Sequence, residues 1–272
     1  MINLRDIEAF VFDMDGVLYR VDTPIPGAIQ FLQLLQDEGT PFLLLTNNST
    51  LTPGMYVSKL EKMGIAIEPE DILTSSLATA DYLKSHMPAG TRVYVVGEEG
   101  ILQAVRDAGC IVTDEDPEYV VVGFDRQVTY EKLAVASLAI RDGATYIATN
   151  PDVTLPSEKG LLPGCGAILA AITAATGVSP LVIGKPQREM FDQAVARLGT
   201  TRSRTAMVGD RMETDIVGAE NAGLVTILLL SGATTADDIV APDAPADFVF
   251  RDIAVLLEAW QEEAISGQLI AC

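Results

Sequence analysis

Apolar runs three to six residues long alternate along this chain with longer stretches whose apolar positions recur every three or four residues. The short runs lie at 9–12, 42–45, 92–96, 119–122, 145–148, 181–183, 205–208, 225–230 and 247–250. Most are continuous rather than alternating and rich in Val, Ile, Leu and Phe. That pattern predicts strands buried on both faces. The longer stretches lie at 28–38, 55–63, 78–85, 101–108, 130–141, 167–176, 189–198 and 253–263. In the first of them Ile29, Leu32 and Leu35 share one helical face. Regular strand–helix alternation predicts an α/β fold with a mainly parallel sheet. The chain carries no repeat of fixed period and no low-complexity segment.

Spacing divides the chain. Only 31 residues separate Asp15 from Thr46, room for a turn, a helix and a strand. From Thr46 to Lys185 there are 139, several times one strand–helix unit. An insertion is therefore expected: a discontinuous Rossmann-like core over 1–84 and 180–272, and a smaller α/β domain over 85–179. The turn-rich Thr176-Gly177-Val178-Ser179-Pro180 marks the second boundary.

Composition narrows the class. The 272 residues are 49% hydrophobic and 21% charged, enough for a packed core. No apolar run reaches the ~18 residues that span a bilayer, and the N-terminus lacks the basic-then-apolar order of a secretory signal. Cysteines at 110, 165 and 272 are odd in number and widely spaced, against both a disulfide framework and a zinc site. A cytoplasmic setting is expected. The net charge of −20 repels nucleic acid and anionic membranes, so neither is an expected partner. It would repel a phosphate too, unless a metal ion and a local cation invert the field.

Four predicted strands end in reactive residues. These ends are Asp13-Met14-Asp15-Gly16, Thr46-Asn47-Asn48, Gly184-Lys185-Pro186, and Gly209-Asp210-Arg211 followed by Thr214-Asp215. If their strands are parallel neighbours, all four loops meet at one edge of one sheet, where open α/β folds bind ligands. Asp13, Asp15, Asp210 and Asp215 brought together would repel one another, and a hard divalent cation resolves that repulsion. Mg²⁺ fits, because it takes oxygen ligands, keeps several waters and pairs with substrate phosphates. Thr46, Asn47, Asn48 and Lys185 then supply donors and a positive charge for phosphoryl oxygens. The single histidine, His86, lies at the end of a helical pattern away from these loops, and no cysteine follows one of the four strands. An aspartate can instead attack phosphorus. Asp13, first after its strand, is the expected nucleophile, and Asp15 the general acid and base.

Each motif taken alone also has a simpler reading. Alone, Asp-x-Asp-Gly also fits a turn or part of a calcium loop, but the later acidic positions of that loop are absent here. Gly184-Lys185 lacks the upstream glycine and the following Ser or Thr of a P-loop. Gly164-Cys165-Gly166 lacks the third glycine of a dinucleotide fingerprint and reads as a packing or capping feature.

Together these residues resemble the four motifs of the haloacid-dehalogenase superfamily of phosphatases. The long insertion resembles its 4-nitrophenylphosphatase-like (NagD-like) branch. The resemblance implies a Rossmann-like core with an α/β cap inserted after the third core strand. It implies Mg²⁺ held by Asp13, the backbone carbonyl of Asp15 and Asp210, with Asp215 acting behind them. It further implies phosphate bound by Thr46, Asn47, Asn48 and Lys185, and a cap that closes over the site. The loop Thr149-Asn150-Pro151-Asp152 resembles a cap loop of this branch and is expected to face the site. Caps of this branch often pair, so a homodimer through the cap is the expected assembly. The expected function is Mg²⁺-dependent hydrolysis of a small phosphorylated metabolite: a nucleotide, a sugar phosphate or a 4-nitrophenyl phosphate type ester. Two alternatives use the same fold: a phosphotransferase or mutase working through the same aspartyl-phosphate, and a non-catalytic binding protein.

Overall fold

The apolar run at the start of the chain forms β1 (Ala9–Phe12), with all four side chains buried. The computed structural model describes residues 2–157, 160–238 and 246–270. After β1 come a short hairpin of β2 (Tyr19–Arg20) and β3 (Thr23–Pro24), then α1 (Ala28–Glu38), β4 (Phe42–Thr46) and α2 (Pro53–Glu61). β5 (Ile72–Thr74) runs directly into α3 (Ser75–His86), whose first turn is capped by Thr74 Oγ1 accepting from Leu77 N at 3.1 Å.

A second strand–helix series follows: β6 (Arg92–Val96), α4 (Glu99–Asp107), β7 (Ile111–Val112), β8 (Tyr119–Val122), α5 (Tyr130–Arg141) and β9 (Thr145–Ala148). A hairpin of β10 (Thr154–Ser157) and β11 (Gly160–Pro163), then α6 (Cys165–Thr176) and β12 (Leu181–Val182), complete it. The chain ends with α7 (Arg188–Leu198), β13 (Thr205–Gly209), α8 (Val217–Ala222), β14 (Val225–Leu229), β15 (Phe248–Phe250) and α9 (Ile253–Ile270).

The larger sheet has the order β15-β14-β13-β1-β4-β5. β1 pairs in parallel with both β4 and β13, and β13, β14 and β15 continue in parallel. In chain order these strands run outward from β1 on one side and from β13 on the other. The reversal between β1 and β13 is the switch point at which such sheets open a crevice for ligands. The smaller sheet, β12-β9-β8-β6-β7, is parallel throughout. The architecture is thus a Rossmann-like α/β core with an inserted smaller α/β subdomain. The insertion follows β5, the third strand of the larger sheet in chain order.

The four expected strand ends do not all lie on one sheet. The strand before Lys185 does not join the larger sheet. β12 pairs with β9, Leu181 opposite Ile147 and Val182 opposite Ala148. The ladder continues through Ile183 N to Ala148 O at 3.0 Å and Gly184 N to Thr149 O at 2.9 Å. The loops of Asp13, Thr46 and Asp210 therefore follow strands of one sheet, and Lys185 follows a strand of the other. The described residues fall into two compact units, one within Met1–Leu45, Val57–Ile72 and Phe191–Cys272, the other within Thr46–Tyr56 and Leu73–Met190.

Each unit has its own core. In the first, Phe10 and Phe12 share one face of β1. They meet Phe31 of α1 edge-on, with ring centroids 5.5 and 5.7 Å away, and Phe10 also meets Trp260 of α9 at 5.1 Å. Trp260 spends its one polar group on Glu38 Oε2 at 3.0 Å. This cluster sits behind the strand that carries Asp13. We expect Trp260→Ala to destabilise the fold by about 3–5 kcal/mol, read as a lower denaturant midpoint at unchanged slope. In the second unit Val96, Val120, Val122, Tyr146 and Ala148 pack with residues of α5 and α6, including Ile140 and Ile172.

Candidate active site

Two strands flanking the switch point deliver the acidic residues. Asp13 follows β1 and extends its ladder, its N–H donating to Val208 O at 2.9 Å. Asp210 follows β13 and is almost fully buried. Asp215 lies in a one-turn π-helical segment, Met212–Ile216, and is wholly buried. Such widened turns are often found at functional sites. Here the turn folds the carboxylate back, so that Arg211 N donates to Asp215 Oδ2 at 3.1 Å. One carboxylate oxygen from each of Asp13, Asp210 and Asp215 lies within 4.8 Å of the others.

These three residues could hold a metal ion. The donors are all hard oxygens. An octahedral Mg²⁺ with ligands at about 2.0–2.1 Å spaces those oxygens about 3–4 Å apart, which suits a cluster of this size. Asp15 stands outside the cluster, in the turn where Gly16 N donates to Tyr19 O at 2.9 Å. Gly16 adopts a φ of +87°, and a Cβ there would collide with the Asp210 carboxylate, so only glycine serves. Asp15 keeps contact with solvent while protein atoms crowd it from the other sides. That crowding, ahead of the charges, pushes its carboxyl above the usual aspartate range; Lys59 and Arg211 pull it down, and Asp22 adds a smaller push upward. Water on the open side limits the rise.

A further loop, not singled out from the sequence, completes this group. Ser231-Gly232-Ala233-Thr234 follows β14, the neighbour of β13. Ala233 N donates to Asp210 Oδ2 at 2.6 Å, Thr234 N to Asp210 O at 2.9 Å, and Ser231 Oγ to Gly16 O at 3.0 Å. Met212 N donates to Thr234 Oγ1 at 3.3 Å. A Cβ on Gly232 would overlap the Asp210 carboxylate. Both of this loop's bonds to Asp210 come from backbone N–H groups, so its composition carries little sign of that role. The available signal was positional, a fourth strand end at the same sheet edge, beside those of β1, β4 and β13.

The second unit gathers the remaining candidates. Thr46 closes β4, and its Oγ1 accepts from Asn48 N at 3.1 Å. Asn48 Oδ1 accepts from Thr50 N at 2.9 Å and Thr50 Oγ1 at 2.8 Å, shaping the loop as a tight Asx turn. Lys185 is buried, and its backbone is gripped by the Asn47 side chain: Lys185 N donates to Asn47 Oδ1 at 2.8 Å, and Asn47 Nδ2 donates to Lys185 O at 3.0 Å. Asn47 O in turn accepts from Ser75 Oγ at 2.6 Å and Asn150 Nδ2 at 2.7 Å.

His86 is exposed at the end of α3 and stacks on Tyr82 with centroids 4.1 Å apart. Burial pushes the Cys165 thiol up to about 12, so it has no thiolate to offer, and burial also raises Cys110. Cys272 lies outside the described residues. Among the described residues no helix is long and apolar enough to cross a membrane.

Residues 10–111 match the haloacid dehalogenase-like hydrolase family, and residues 182–256 a second, HAD-hydrolase-like family. An acid sugar phosphatase of Staphylococcus aureus is 45% identical over 251 residues, covering 92% of this chain and 96% of that protein. Among solved structures, a 4-nitrophenylphosphatase from Thermotoga maritima superposes with a TM-score of 0.90 at 38% identity, over 94% of this chain and 98% of the other. NagD from Escherichia coli K-12 gives a TM-score of 0.85 at 34% identity, over 91% of this chain and 97% of the other.

Proposed function

The chain belongs to the haloacid dehalogenase-like hydrolase family, and we propose from that premise how its residues divide the work. The protein is a phosphatase of small phosphate monoesters, of the sugar phosphate or nitrophenyl phosphate type. The observation that carries this reading is the cluster of Asp13, Asp210 and Asp215 at the switch point of the larger sheet. Mg²⁺ is the ion we assign to it, held by Asp13, the Asp15 backbone carbonyl and Asp210, with Asp215 fixing the Arg211 turn behind them. When bound it would neutralise charge on the phosphoryl oxygens and orient them.

In the proposed reaction a carboxylate oxygen of Asp13 attacks phosphorus. The bond from phosphorus to the leaving oxygen breaks, and Asp15 gives that oxygen its proton. The alcohol departs, and the phosphoryl group stays on Asp13 as an aspartyl-phosphate. Asp15, now ionised, takes a proton from a water that attacks the same phosphorus, releasing phosphate and restoring Asp13. Lys185 offers its ammonium, and Thr46 and Asn48 donors of their loop, to the phosphoryl oxygens. Asn47, whose side-chain amide is already engaged, contributes chiefly by placing Lys185. The inserted subdomain acts as a cap that excludes water and selects the leaving group. A homodimer through this cap, supported by the family resemblance, and a cytoplasmic setting, supported by the few scattered cysteines, belong to the same proposal.

The test is phosphate release from 4-nitrophenyl phosphate and from sugar phosphates with Mg²⁺. Appearance of a phosphorylated sugar acceptor in place of inorganic phosphate would favour a transferase. The raised carboxyl of Asp15 adds a directional expectation. An acid with a raised pKa stays protonated to higher pH, so protonation of the leaving group fails only above that pKa. Asp15→Asn removes this limb of the kcat profile. It should cost an alkyl phosphate about a hundredfold or more, and cost 4-nitrophenyl phosphate, whose leaving group needs little protonation, distinctly less.

A further inference from the structure

The loop Thr149-Asn150-Pro151-Asp152 and the Gly164-Cys165-Gly166 turn have no part in the chemistry above, yet they are built together. Gly166 N donates to Asp152 O at 2.8 Å, and Gly164 N to Val153 O at 2.8 Å. A Cβ on either glycine would run into the backbone of this loop, at Asp152 O and Pro151 O. Asp152 N donates to Asn150 Oδ1 at 3.2 Å. The half-buried Asp152 is thereby fixed, and its carboxylate receives Asn47 Nδ2 at 3.2 and 3.3 Å.

The amide of Asn47 has one correct orientation. Lys185 N can only donate, so the atom facing it must be the carbonyl oxygen. Turned over, the amide would set N–H against N–H and oxygen against Lys185 O. Asp152 opposes that flip, because an ionised carboxylate only accepts, and it sits on the side where the amide nitrogen belongs. A Cβ on Gly184 would lie 2.7 Å from Asn47 Oδ1, so the clamp leaves no slack on that side either.

We propose that Asp152 is a positioning residue for phosphate binding, acting through Asn47 on the backbone of Lys185. This rests on the assignment of Lys185 to the phosphate. Asp152 lies 33 residues upstream of Lys185 in the chain and makes its link by charge-assisted hydrogen bonding rather than by touching substrate.

The experiment is a double-mutant cycle on Mg²⁺-loaded enzyme, with KM for 4-nitrophenyl phosphate and Kd for inorganic phosphate as readouts. Asp152→Ala should raise both about tenfold, with a smaller change in kcat; in a Lys185→Met background the same substitution should change them by less than about twofold. Asp152→Asn keeps the volume and one acceptor oxygen. It serves if the alanine variant fails to fold, and should show the same dependence on Lys185 at about threefold. An unchanged KM and Kd in both Asp152 variants, or an equal loss with and without Lys185, overturns the inference and leaves the phosphatase reading standing. If Lys185→Met alone leaves phosphate binding intact, the assignment of Lys185 falls first, and this inference with it.

Discussion

Asp13→Asn should lower kcat by about 10⁴-fold or more while the protein still folds. An amide is isosteric with the carboxylate but is a far poorer nucleophile toward phosphorus, so the covalent step has no attacking group. The fold should survive because Asp13 is held through its backbone, Asp13 N to Val208 O at 2.9 Å. The strand behind it is fixed by Phe10 and Phe12 packing on Phe31, contacts that do not involve the carboxylate. Circular dichroism and thermal unfolding close to those of the unmodified protein, beside activity near background, would be the expected pair of results. Near-normal turnover would remove Asp13 as nucleophile.

Exhaustive chelation should be nearly as severe. Three carboxylates sit together on a chain of net charge −20, and without a metal cation they would repel an arriving phosphate dianion. Losing several kcal/mol of charge stabilisation corresponds to about a 10³-fold fall in rate. Activity should return on adding Mg²⁺. Ca²⁺ should restore far less, because it prefers more ligands at longer distances than this small cluster supplies. Turnover undiminished after chelation would contradict the proposed metal site.

Much of this was legible in the chain. The buried parallel strands announced themselves as continuous apolar runs, and two of the clustered aspartates, Asp13 and Asp210, as residues placed just after two of them. What escaped did so for physical reasons. β5 is three residues long, and its last residue, Thr74, doubles as the cap of α3, so no strand pattern has room to develop. The hairpin of β10 and β11 exposes Leu161 and Leu162, against the usual sign of burial. β12 was visible as a strand, but its sheet depends on pairing with β9, a tertiary choice that local periodicity does not encode. The same limit hid the Ser231–Thr234 loop and the role of Asp152. Both work through groups brought close only by the fold, backbone N–H and hydroxyl groups in one case and a side-chain amide in the other.

The central claim is that Asp13 carries the phosphoryl group. Acid-quenched rapid mixing of the Mg²⁺-loaded enzyme with 4-nitrophenyl phosphate, followed by peptide mass analysis, tests it most directly. Asp15→Asn is the better vehicle, since loss of the base slows the second step and lets the intermediate accumulate. The account predicts one hydroxylamine-sensitive phosphoryl group on the peptide containing Asp13, absent from Asp13→Asn. Turnover with the phosphoryl group on another residue, or with no phosphorylated peptide in either the unmodified or the Asp15→Asn enzyme, would contradict it.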